Sequence, residues 1–176
     1  MSRQSLAVLV PVAIVLGLAV ERVPAQESAA IQATASVTTT LSITGTQNLR
    51  FNVVTPGINK TVDKSTIGQA GEWAISGTVN SEITLNFTLP DSLQHALQPV
   101  GMNIGFNAID ASFDDGTGGG QTLPSGVLNP NGPSAERLGP LGTMTVWIGG
   151  TVFPDISQTG GNYASDVVLT VAYTGS

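Results

Sequence analysis

From Ile31 to Thr44 apolar and polar positions alternate with hardly a fault. The odd positions read Ile, Ala, Ala, Val, Thr, Leu, Ile, and the even positions from Gln32 read Gln, Thr, Ser, Thr, Thr, Ser, Thr. A period of two with β-branched residues predicts a β-strand. Fully extended, such a run would span about 46 Å, well past the usual strand of roughly 3–10 residues. The segment therefore either bends and changes sheets near Thr38-Thr39-Thr40, or its first half projects beyond its own domain.

The same period returns at short intervals. Leu49, Phe51 and Val53 alternate, and Thr55-Pro56-Gly57 makes a turn before a short edge strand over 58–62. Trp73, Ile75 and Val79 alternate around Gly77, and Ile83, Leu85, Phe87 and Leu89 alternate strictly with polar neighbours. The parity changes between Met102, Ile104, Phe106 and Ile109, Ala111, Phe113, which predicts a β-bulge near Ala108. Ser92 to Leu97 is expected to form one helical turn, and Asp114 to Gly142, rich in Gly and Pro, reads as a loop. Met144, Val146 and Ile148 make a strand ending in a kink at Gly149-Gly150, and Val167, Leu169, Val171 and Tyr173 make the last one. About seven to nine short strands separated by turn signals predict an all-β, immunoglobulin-like two-sheet sandwich.

Residues 1–25 stand apart. Leu6 to Val20 is an apolar run after Arg3, followed by Val23-Pro24-Ala25, whose small residues suit signal peptidase. The run falls short of the ~20 apolar residues a membrane span needs. The expectation is a signal peptide over 1–25, then a single exported sandwich domain over 26–176 with no membrane span after cleavage.

Charge narrows the possible partners. The chain carries 12 acidic and 6 basic side chains. Removing Glu21, Arg3 and Arg22 with the leader leaves eleven acidic against four basic (Arg50, Lys60, Lys64, Arg137). No basic cluster exists to neutralise phosphates, so nucleic acid is not an expected partner. The absence of cysteine excludes a disulfide framework, thiol catalysis and zinc-thiolate sites.

Candidate chemistry is sparse. His95, the one histidine, lies in a polar stretch with no nucleophile elbow to serve, and reads as a turn residue. Asp114-Asp115-Gly116 lacks the alternating carboxylates and the six or more oxygens that calcium takes, and reads as a surface turn. Trp147 is out of phase with Met144, Val146 and Ile148, so it is expected to face solvent, a ligand or a second subunit. No catalytic residue, metal site or cofactor is expected.

Several segments taken in order carry a resemblance: ATASVTTTLSIT, Leu49-Arg50-Phe51, Ile83-Thr84-Leu85 with Leu89-Pro90, Ile148-Gly149-Gly150-Thr151, Gly160-Gly161-Asn162-Tyr163 and the final VVLTVAYTGS. Over Ala29 to Tyr173 the chain resembles the bacterial domain-of-unknown-function family 4402 and, more distantly, spore-coat-U and chaperone–usher pilin domains. The resemblance implies an immunoglobulin-like fold in a secreted, surface or fibre context, with no enzyme activity. It also implies copies of itself or related subunits as partners, and a periplasmic assembly chaperone. In pilins an alternating N-terminal extension and a terminal aromatic strand carry polymerisation; Ile31, Ala33, Ala35, Val37 and Tyr173 occupy comparable places. The chain departs from the pilin pattern in lacking the cysteine pair. The expected function is a non-enzymatic structural subunit assembling by β-strand addition. The other reading is a monomeric, secreted glycan- or ligand-binding adhesive module with Trp147 and the Asp114–Gly142 loop as its face.

Overall fold

In the computed structural model the described residues are Gln32 and 40–174. Residues 1–25 and the alternating segment up to Thr39, Gln32 apart, lie outside them.

Among the described residues there are thirteen strands and no helix, and all the strands lie within one compact unit, Val37–Ser176. They are β1 (Ser42–Gln47), β2 (Lys60–Val62), β3 (Gly71–Ser76), β4 (Glu82–Thr88), β5 (Ser92–His95), β6 (Gly101–Gly105) and β7 (Ala111–Asp114), then β8 (Gly126–Leu128), β9 (Ser134–Arg137), β10 (Thr143–Ile148), β11 (Gly150–Phe153), β12 (Tyr163–Ala164) and β13 (Val168–Tyr173). The all-β sandwich expected from the alternation is what forms, with more and shorter pieces than seven to nine.

The strands build three antiparallel sheets, ordered β1-β3-β10-β7-β8, β12-β5-β6-β11-β2 and β13-β4-β9. The first two are related. Strands β3, β10 and β7 are neighbours in one, and their chain-adjacent strands β2, β11 and β6 are neighbours in the same order in the other. The second sheet therefore continues the first around a corner. Gly149 makes that corner possible: a Cβ there would collide with the Val62 carbonyl oxygen. Its N–H donates to Asp110 O at 2.8 Å, tying the β10–β11 corner to the β6–β7 corner.

This corner accounts for the change of parity in the sequence. No bulge is needed near Ala108. A turn, closed by Asp110 N–H on Asn107 O and by Asn107 N–H on the Asp110 carboxylate, passes the chain from one sheet to the other.

The third sheet covers the first. Register sets Ile75 beside Met144, and Trp73, Val146 and Phe113 in a row across β3, β10 and β7. Facing them, Ile83, Leu85 and Phe87 of β4 pair with Tyr173, Val171 and Leu169 of β13. Ile75, Ile83, Leu85, Val146 and Ile148 are fully or almost fully buried, each stabilising the fold by roughly 1.5–3 kcal/mol. A second, smaller core of Phe51, Val62, Met102, Ile104 and Val152 lies on the second sheet.

Three expectations are corrected. Ser92–His95 is a strand, not a helical turn, because it forms a hairpin with β6 that His95 N–H closes on Val100 O at 2.9 Å. The stretch from Asp114 to Gly142 contains β8 and β9, too short to show a period but fastened by buried Leu128 and Leu138. Leu49, Phe51 and Val53 do not form a strand. Asn52 adopts a left-handed backbone (φ 54°), which flips the phase: Val54 joins the second core and Val53 is left 84 % exposed.

Candidate functional site

Two features of the surface stand out: an open flank of the sandwich, and a cleft that continues from it. The flank follows from topology. β9 lies over the β7 end of the first sheet, since Glu136 feels the charge of Asp115 and Gly139 abuts the Asp115 carbonyl. β13, on the other side of β4, is therefore at the β1 side. Both β1 and β13 are edge strands, with a paired neighbour on one side only among the described residues.

At one end the two edges close. The Tyr173 hydroxyl accepts the Thr78 N–H at 2.8 Å and donates to Thr78 Oγ1 at 3.3 Å. It fills the space beside Gly77, as does Leu41, just before β1. Away from that closure Ile43, Trp73, Val167 and Val171 stay only partly covered. Ile43 is on the core-facing side, opposite Ile75, yet remains 36 % exposed. Gly45, next on that face, leaves an opening in front of the Trp73 indole.

Beyond Gly45, Trp73 and Val167 the flank opens into a cleft of about 850 Å³. Its floor is the second core, with Phe51, Met102 and Val152. One wall is 48–54; the other is the 158–166 loop, which is rigidly braced. Gln158 Nε2 donates to Tyr163 Oη (2.7 Å) and Gly101 O (3.1 Å), Tyr163 donates to Thr159 O (2.6 Å), and Ser165 Oγ to Ser92 O (2.8 Å). His95 adds a clamp. Its Nδ1 accepts the Leu97 and Gln98 N–H groups, both at 3.0 Å, so the ring proton sits on Nε2, which donates to Gly160 O at 3.2 Å. The ring also meets Tyr163 edge-on, 5.0 Å between centroids. The reading of His95 as a turn residue is thus made specific: it organises two turns.

By contrast, Asn48, Arg50, Asn52, Asn162 and Asp166 line the cleft with side chains that make no hydrogen bond to any described residue. The Trp73 indole N–H is likewise unbonded among them.

Trp147 is placed otherwise than expected. It is 5 % exposed. Its indole N–H donates to Glu72 Oε2 at 3.0 Å, and Glu72 Oε1 accepts Thr46 Oγ1–H at 2.8 Å, so a polar ladder runs across β1, β3 and β10 on the outer face. The out-of-phase tryptophan is used up inside the domain and presents no ligand surface. Ile31, Ala33, Ala35 and Val37 lie outside the described residues, and Tyr173 packs on its own core.

The acidic loop after β7 is occupied with itself. Asp114, covered by its own loop close to the protein surface, accepts the N–H groups of Gly116 (2.7 Å), Gly118 (3.1 Å) and Gly120 (2.6 Å), with Ser125 Oγ at 3.0 Å. Burial pushes its carboxyl up, and these four donors more than reverse that, holding it below the usual range. Asp115 is lowered by the Thr117 and Ser125 hydroxyls. Glu136 is raised, by burial first and then by Asp115. The oxygens of Asp114 and Asp115 thus face loop donors rather than converge on a cation site.

No protein-family model matches the sequence, and no curated protein matches it.

Proposed function

We propose that the chain is a non-enzymatic structural subunit of a surface appendage, fibre or coat, exported and joined to copies of itself or to related subunits by β-strand addition. The observation that supports this reading is the flank between β1 and β13: among the described residues each has a paired strand on one side only, beside a strip of partly covered apolar side chains. An extended segment entering it would gain main-chain hydrogen bonds from a sheet edge and cover Ile43 and Trp73. The alternating run through Ile31, Ala33, Ala35 and Val37 has the composition for that, with one apolar face of modest bulk. A periplasmic chaperone would guard the same flank before assembly. The rival reading, an adhesive module with Trp147 and the Asp114–Gly142 loop as its face, is left with the loop, because Trp147 is buried.

The test is the exported protein on a mild-detergent gel and by electron microscopy, beside Ala35→Asp. The wild type should ladder and form filaments. The variant should remain a folded monomer, because a buried unpaired charge costs several kcal/mol at an interface. A wild type that stays monomeric, or a variant that assembles equally well, refutes the proposal.

A further inference from the structure

We infer that the cleft between 48–54 and the 158–166 loop is a binding site for a neutral oligosaccharide, adjoining the β1–β13 flank at Trp73. Its size is in the range of roughly 300–1,000 Å³ that small-molecule sites occupy. The chemistry of its lining narrows the ligand. Asn48, Asn52 and Asn162 each present a donor and an acceptor with no partner among the described residues, the pairing that neighbouring hydroxyls on a sugar ring match. The unbonded indole N–H of Trp73 adds a donor, and an aromatic edge, at the end nearest the flank. Arg50 and Asp166 bring one charge of each sign, so the lining favours no net charge on the ligand.

The walls argue against a peptide strand here. Strand addition needs a straight, unpaired edge. The 48–54 wall is broken by the left-handed backbone of Asn52, and the other wall curls through the turn at 155–158 and the bends beyond it. Recognition must then come from side chains, and the bracing of the 158–166 loop by His95, Gln158, Tyr163 and Ser165 holds that wall ready, which lowers the ordering cost of binding.

The test uses the full exported chain against a panel of neutral hexasaccharides (β-1,4-glucan, α-1,4-glucan, β-1,4-mannan, β-1,4-xylan and chitohexaose), read by calorimetry. At least one should bind saturably. Asn52→Gly keeps the left-handed backbone while removing the amide, and Asn162→Ala leaves intact the carbonyl that accepts Ala96 N–H. Each should weaken binding about fivefold, the worth of one lost hydrogen bond, with an unchanged melting temperature. The inference is overturned if no hexasaccharide gives saturable heat, or if affinity in both variants stays within about twofold of the parent.

Discussion

Replacing Gly45 with valine separates folding from assembly. Gly45 lies on β1 opposite Trp73, and a Cβ at this position would sit 3.7 Å from Trp73 Cδ1 and 3.8 Å from Nε1, which is ordinary van der Waals contact. Its backbone is not in the left-handed region, so a β-branched residue fits without strain. Glycine inside a strand costs roughly 0.5–1 kcal/mol relative to alanine, and valine has the better strand propensity. The added methyls also cover part of the exposed indole. Together these stabilise the monomer by about 1 kcal/mol, which for a domain of this size raises the melting temperature by about 3 °C. The same methyls occupy the opening an incoming strand would cover. Thermal unfolding followed by circular dichroism should therefore show a firmer fold, while gel laddering and micrographs show assembly lost. A Gly45→Val protein that is as stable as predicted and still polymerises refutes the assignment of the β1–β13 flank as the acceptor. One that unfolds refutes the packing argument itself.

Four further outcomes rest on the polar and charged groups. Asp114→Asn replaces a carboxylate that accepts three N–H groups and a hydroxyl by an amide whose nitrogen must face one of those donors; urea unfolding should show a loss of about 2–3 kcal/mol, and a loss below about 0.5 kcal/mol would contradict the bonding described. Because Asp114 and Asp115 are lowered in the folded state, their contribution is present above the ordinary carboxylate range and is lost as pH falls through their folded values, so acid titration of wild-type stability should steepen below about pH 4, less so in Asp114→Asn. Glu136 has the opposite sign: being raised, it favours the fold while protonated and loses that contribution as pH rises through its folded value, so Glu136→Gln should be slightly more stable than wild type at pH 7 and no more stable at pH 4. His95→Ala removes the acceptor for Leu97 and Gln98 and the donor to Gly160, and amide exchange should quicken at 95–100 and 158–163 while β10 stays protected; uniform protection in the variant would show that the clamp is redundant.

What was legible in the sequence was local. A period of two is a property of a few consecutive residues, so Glu82–Thr88, Thr143–Ile148 and Val168–Tyr173 could be read directly, and the glycine pair at 149–150 announced the corner. Position within the sheets is not local, and it decided the rest. Trp147 broke the phase of its strand because its polar edge had a partner, Glu72, on a strand 75 residues earlier. The parity change before Ala111 looked like a bulge because a bulge and a passage between sheets leave the same trace in one dimension. Asn52 left no trace at all: a single left-handed residue reversed which valine pointed inward and helped shape the cleft.

The openness of the flank was equally invisible, since an edge strand and an inner strand alternate alike. Ile43 and Ile75 are both isoleucines on strands of one sheet and face the same way, yet one is 36 % and the other 2 % exposed. Among the described residues, a strand lies on both sides of β3 and on only one side of β1. That is the difference on which the strand-addition reading rests. On the strand-addition proposal, an apolar residue on an edge where a polar one would be less prone to aggregation would mark a surface to be covered, and the covering group would supply both a backbone ladder and small apolar side chains.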